Sequence, residues 1–177
     1  GLPSLVAKDV ISAAVAERWR DPAGASRDYA FIYYGTGAGI GLVLNGEVYT
    51  GSTENAGDAG HVLVDPGGAL CACGRRGCWG ESVRPQRLVM QGLWAGVLKP
   101  PGGETVVDGR DLDLDVEVVD TLFTQLTAAA DAGDERAAAI LDRSIRNTAF
   151  YLSNLAALLD IDRVVFGGPS WSRVERS

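Results

Sequence analysis

The sequence predicts an α/β fold, a sheet whose strand ends open onto a ligand crevice. Three observations predict it. Apolar, β-rich runs end in glycine clusters, at Gly35-Thr-Gly37 and at Gly167-Gly168. Between them lie stretches of helical period, most clearly Glu135–Leu159, where Leu141, Ile145, Thr148, Leu152, Leu155 and Leu159 recur at spacings of four and three. The composition is 46% apolar, enough for a buried core, and no run approaches the roughly 18 apolar residues of a membrane span. Strands that end in glycines and lead into helices are the pattern of a sheet that binds ligands at its strand ends.

Each element follows in order. Residues 4–7 read as a short strand, and Asp9 stands where a helix begins. Residues 10–19 continue that helix, with Val10, Ala13, Ala14 and Glu17 at helical spacing in an alanine-rich segment. As a purely structural residue, Asp9 would be an N-cap that accepts hydrogen bonds from the first turn. Residues 22–28 form a linker loop. Tyr29–Tyr34 is a strand, and residues 39–44 and 47–50 pair as a hairpin about Asn45-Gly46, because a type I′ turn favours that dipeptide. Helices are expected over 84–98, broken by the Pro100 to Gly103 cluster, then over Val116–Asp131 and Glu135–Leu159. A buried strand over 162–166 runs into Gly167-Gly168. The chain opens as if a strand were already in progress and closes just after another, so it reads as part of a larger α/β protein.

The single histidine and all three cysteines fall between His61 and Cys78, spaced by nine, one and four residues. Three cysteines cannot pair completely. The start of the chain has neither the basic nor the continuous apolar region of a signal peptide, so a reducing, cytoplasmic setting is expected. One His and three Cys are a full tetrahedral set for zinc, which leaves no open position for a catalytic water and points to a structural ion. Gly67, Gly68, Gly74 and Gly77 let this loop fold back on itself. A partial disulfide, or thiols that are reactive or idle, are the alternatives. A net charge of −7, from 16 basic and 23 acidic residues, argues against nonspecific nucleic-acid binding by this segment.

Several of these stretches together resemble one family. Gly35-Thr-Gly-Ala-Gly-Ile-Gly41, Asn45-Gly46, Ala56-Gly-Asp-Ala-Gly-His61, Cys71-Ala-Cys-Gly-Arg-Arg-Gly-Cys78 and Arg163-Val-Val-Phe-Gly-Gly168 are similar to the signature of the ROK family, which comprises bacterial sugar kinases and sugar-responsive repressors. The resemblance implies a lobe of the actin-like ATPase (ribonuclease H-like) fold with a structural zinc loop. Residues 1–28 would be the end of an N-terminal lobe and a crossover helix. Residues 29–177 would be a C-terminal lobe with its zinc loop at 61–78, truncated at its C-terminal end. It implies Asp9 as general base, with Lys8, Asp9, Asp58, His61 and Glu81 facing the sugar. Gly35, Thr36, Gly37, Gly167 and Gly168 would face the nucleotide, and His61, Cys71, Cys73 and Cys78 would hold zinc. A homodimer or homotetramer is implied, and ATP with Mg2+ only for a kinase.

Three positions depart from the family pattern. Lys8 replaces a sugar-binding asparagine, and a side chain that donates and accepts becomes one that only donates. Lys8 would then either pair with Asp9 and blunt it as a base, or bind an anionic ligand such as a sugar phosphate. Asp58 replaces a longer glutamate. Gly80 stands where a glutamate follows the last cysteine, with Glu81 one residue on. These changes favour a sugar-responsive transcriptional regulator, of which this chain would be the effector-binding and oligomerisation part, with DNA bound only through a region outside it. The alternative is an ATP-dependent kinase for a hexose or amino sugar. A vestigial member that only assembles with other chains is a third reading.

Overall fold

The structure, a computed structural model, describes residues 8–20, 27–103, 106, 109 and 111–175. The strand expected over 4–7 and most of the linker over 22–28 lie outside them. A four-stranded sheet in the order β3-β2-β1-β4 forms the centre. Its strands are β1 (Tyr29–Tyr34), β2 (Ala38–Leu44), β3 (Glu47–Tyr49) and β4 (Val164–Gly167). β1, β2 and β3 form an antiparallel meander, with Tyr34 opposite Ala38 and Leu44 opposite Glu47. The β2–β3 turn is the expected one: Asn45 and Gly46 have φ of 56° and 76°, so both central residues are left-handed as a type I′ turn requires. β4 pairs with β1 in parallel, Ala30 opposite Val164, so both chains leave the sheet at the same end.

Helix α1 (Asp9–Arg20) covers one face. It lies so close to β2 that a β-carbon on Gly41 would meet the Val10 carbonyl at 2.9 Å. Only glycine lets the helix backbone approach this near, and Ala14, fully buried, sits in the space it leaves. Tyr29 donates its hydroxyl to the Ala14 carbonyl at 2.8 Å, and Arg163 before β4 pairs with Glu17 at 3.1 Å. Helix and strands are thereby locked in one orientation.

The other face carries the main core. Helices α4 (Val116–Asp131) and α5 (Glu135–Leu159) have the predicted bounds. Phe123, Leu126 and Leu141 point inward to meet Ile32, Tyr34 and Ile40 of the sheet. The helix expected over 84–98 is α3 (Pro85–Trp94), which ends sooner. A further short helix that was not expected, α2 (Trp79–Val83), precedes it, and Arg84 between them is extended with ψ of 136°. The boundary is local, because the ring of Pro85 disfavours helical backbone at the residue before it, while Pro85 itself suits the first helical turn. Trp79 anchors α2. This side chain is 1% exposed, tilted on Tyr151 at 5.2 Å, and donates its Nε1–H to Thr148 at 3.1 Å. Among the described residues no helix is long and apolar enough to cross a membrane.

Candidate functional site

The parallel pairing of β1 and β4 brings two glycine loops to one end of the sheet. Beyond β4, Gly168 has φ of 104° and lies over the backbone of Tyr34, where a β-carbon would collide with the Tyr34 amide nitrogen at 2.7 Å. Two hydrogen bonds fasten the loops: Ser170 donates its N–H to the Tyr34 carbonyl at 3.0 Å and its hydroxyl to the Gly35 carbonyl at 3.1 Å. Within the first loop the Gly35 N–H is already taken by the Gly37 carbonyl at 2.8 Å. Thr36 is exposed, and a β-carbon on Gly37 would meet nothing within 4 Å. The backbone is open at Thr36 and Gly37. Beside the second loop, Trp171 stacks on Phe166 with centroids 4.3 Å apart.

Asp9 reaches the same end. It is the first residue of α1, and Val10 beside it touches the Gly39 position at the start of β2. The Asp9 carboxylate is exposed and accepts the Val10 N–H at 2.7 Å. The segment from Thr50 to His61 closes the other side of β2. The Ile40 N–H donates to the Gly57 carbonyl at 3.3 Å, and Asp58 follows, exposed, at the start of a short 3-10 turn over Ala59–His61. Lys8 pairs with Asn55 rather than with Asp9. Its Nζ donates to Asn55 Oδ1 at 2.7 Å, joining the start of α1 to the 50–61 segment.

Glu81 faces elsewhere. Its carboxylate pairs with Arg84 at 3.2 Å and Arg87 at 3.3 Å, largely buried, and Arg87 also holds Asp111 at 3.0 Å. Gly80, whose β-carbon would meet the Gly60 carbonyl at 3.1 Å, is the position that borders the residue before His61. Of the predicted site residues, Asp9 and the two glycine loops lie toward one end of the sheet, the segment holding Asp58 joins β2 beside them, and the Glu81 carboxylate is paired with Arg84 and Arg87. Reasoning on the sequence missed Asn55 and Ser170, which couple segments far apart in the chain. Neither has a motif of its own.

His61 and the cysteines do converge. One donor atom from each of His61, Cys71, Cys73 and Cys78 falls in a group whose members all lie within 4.8 Å of one another. His61 Nδ1 is 3.4 Å from Cys71 Sγ, and Cys73 Sγ is 3.6 Å from Cys78 Sγ. Around one tetrahedral ion with ordinary zinc bond lengths, such edges measure roughly 3.5–3.8 Å. The donor set therefore fits a single four-coordinate metal. The loop is made by turns: Val64 N–H meets the Gly77 carbonyl, Cys71 N–H the Arg75 carbonyl and Gly77 N–H the Ala69 carbonyl, all at 2.8–2.9 Å. Hydrogen bonds from the Arg75 backbone and then its side chain pull the Cys73 thiol down to about 6, and burial pushes the Cys78 thiol up to about 12.

A mixed sheet with helices on both faces, glycine loops at its parallel strand ends and an aspartate at the head of the covering helix define the actin-like ATPase fold of sugar kinases. A sequence model of the ROK family matches residues 1–173, and the chain belongs to that family. It is 36% identical over 171 residues to the N-acetylmannosamine kinase of Citrobacter koseri, a match covering 95% of this chain and 50% of that one. The ROK family glucokinase of Streptomyces griseus, solved with glucose and AMPPNP, superposes with a TM-score of 0.69 at 26% identity, over 97% of this chain and 54% of that one. A ROK family transcriptional regulator, a homologue of the Escherichia coli MLC protein, superposes with a TM-score of 0.73 at 26% identity, over 99% of this chain and 41% of that one. The chain spans about half the length of the curated relatives it matches.

Proposed function

We propose that this chain carries the sugar-binding wall and C-terminal lobe of an ATP-dependent sugar kinase. The carrying observation is that Asp9, exposed at the head of α1, and the open glycine backbone at Thr36 and Gly37 share one end of the sheet. Similarity to kinases for glucose and N-acetylmannosamine supports this reading over the regulator that the altered contacts alone favoured.

In this reading the sugar lies between α1 and the segment holding Asp58 and His61. Asp9 takes the proton of the attacking hydroxyl as its oxygen forms a bond to the γ-phosphorus of ATP. The bond from that phosphorus to the β–γ bridging oxygen breaks, and ADP leaves with the electron pair. Most of the acceleration comes from positioning and charge stabilisation, so the base needs the right place more than unusual strength. The N–H groups of Thr36 and Gly37 face the phosphates, and Gly168 keeps side-chain bulk away from the nucleotide. Mg2+ accompanies ATP and offsets charge on its phosphates.

Zinc is the ion the His61, Cys71, Cys73 and Cys78 donors suit, and its role is structural. Were the ion held through Nδ1, His61 would carry its proton on Nε2 and could donate it to a sugar hydroxyl. The cluster thus orients one sugar ligand.

The test is ADP release by the full-length protein on a panel of hexoses and amino sugars. Asp9→Asn is expected to lower kcat by about 100- to 10,000-fold while sugar affinity by calorimetry changes little. A variant that keeps its turnover refutes Asp9 as base. Sugar binding without turnover by the wild type would favour the regulator, to which Lys8 and Gly80 already lend support.

A further inference from the structure

We propose that Asn55 is a specificity-determining residue of the sugar site, anchored by Lys8 so that its amide NH2 faces an oxygen of the sugar. The inference rests on the sugar-binding reading above and deepens it by adding a donor that neither motif nor family signature marks.

The chemistry of the pair fixes its direction. Lys8 Nζ lies 2.7 Å from Asn55 Oδ1, and an ammonium group can only donate. The atom that meets it must be the amide oxygen, which leaves both N–H bonds of Nδ2 on the other side. Among the described residues, Nδ2 has no hydrogen-bond partner. The two side chains come from positions 47 apart in the chain, one directly before Asp9 and the other three residues before Asp58. The pair therefore joins the start of the helix that Asp9 begins to the segment that holds Asp58.

The backbone presents Asn55 firmly. The Ala56 N–H donates to the Thr50 carbonyl at 2.9 Å, and the Asp58 N–H donates to the Asn55 carbonyl at 3.1 Å. Glu54, just before it, has φ of 58°, a left-handed conformation uncommon outside glycine and held only where surrounding contacts impose it.

The site also needs such a donor. Ionised Asp9 and Asp58 only accept, so they bind the protons of sugar hydroxyls and leave the hydroxyl oxygens without donors. His61 supplies one donor from the metal side. Asn55 supplies another beside Lys8, the position where lysine replaces an amide. Lys8 is a positioning residue here, acting through Asn55.

The experiment uses the full-length protein with glucose, N-acetylmannosamine and their monodeoxy analogues. In the wild type, one deoxy analogue is expected to fall about tenfold below its parent in kcat/KM, and in Asn55→Ala that penalty should shrink to near unity. Asn55→Asp keeps an acceptor for Lys8 but loses the donor, and should raise the parent's KM about tenfold with a smaller loss in kcat. Lys8→Met should give a smaller rise in KM. An active wild type whose deoxy penalties are the same in Asn55→Ala overturns this inference alone. A wild type that neither binds nor phosphorylates either sugar overturns the sugar-site reading, and this inference with it.

Discussion

The loop from His61 to Cys78 and the helical layer of α4 and α5 are held in shape by different physics. The helices bury their large side chains: Phe123 and Leu126 are fully enclosed, and Leu141 nearly so. The loop does the reverse. Leu63 and Leu70 stand about half exposed, and what order it has comes from turns, two isolated bridges and four convergent donor atoms. Hydrophobic burial tolerates small displacements because it is non-directional. Coordination does not, since it fixes four atoms to a common centre. The lesson is that His61, which the proposed function sets against the sugar, is carried by the region where donor atoms converge, not by the region with the larger core.

That contrast breaks first if metal is removed. Chelation of the purified protein should destabilise it by upwards of about 5 kcal/mol, short of the roughly 10–16 kcal/mol of isolated zinc-finger peptides because the surrounding fold persists. Hydrogen exchange should accelerate in residues 61–78 while amides of α4 and α5 stay protected. An unchanged melting temperature in demonstrably metal-free protein would refute the structural ion. A smaller effect sharpens the other side of the comparison. Phe123→Ala empties a site in the helical core and should cost about 3–5 kcal/mol in urea unfolding, with the metal content unchanged at one per chain. Loss of metal in that variant would show that the two regions are not independent.

The smallest effect concerns one helix end. Asp134 caps α5 by accepting the N–H groups of Arg136 and Ala137 at 2.9 and 3.2 Å. Asp134→Ala should lower the melting temperature slightly and leave both metal and sugar binding untouched. The Arg136 side chain, then the Ala137 N–H, holds this carboxyl below the ordinary aspartate range. Its ionised form is therefore favoured by folding. That contribution is complete above about pH 4 and disappears as pH falls through the lowered value. The stability gap between wild type and Asp134→Ala, followed by thermal melts, should narrow on acidification below pH 4.

Sequence reasoning succeeded where one local cause dominated. The Asn45-Gly46 turn needs left-handed backbone at two positions, and the bounds of α5 follow its own apolar period. The soft ligands between His61 and Cys78 were legible because the chain has so few of them. The start of α3 was also written locally, in Pro85, whereas α2, directly after the last cysteine, was not expected. What could not be read was pairing across distance. Of the two readings of Lys8, the pairing with Asp9 is not seen and Asn55 takes its place, while the Glu81 carboxylate pairs with Arg84 and Arg87. Such partners depend on how α1, α2 and α3 are placed, and no short window of residues contains that information.

The parallel contact of β1 with β4 carries a kinetic consequence. Ser170 and Gly35, bonded at the mouth of the cleft, are 135 positions apart. The β1–β2–β3 meander and the α4–α5 pair join neighbours in the chain and close only short loops. The bonds beyond β4 close loops of this length, and contacts of that span gain stability only after the chain between them has been ordered. The two glycine loops, at Gly35–Gly37 and Gly167–Gly168, therefore meet late in folding. A partly folded chain would hold its hairpin and helices and still have no cleft.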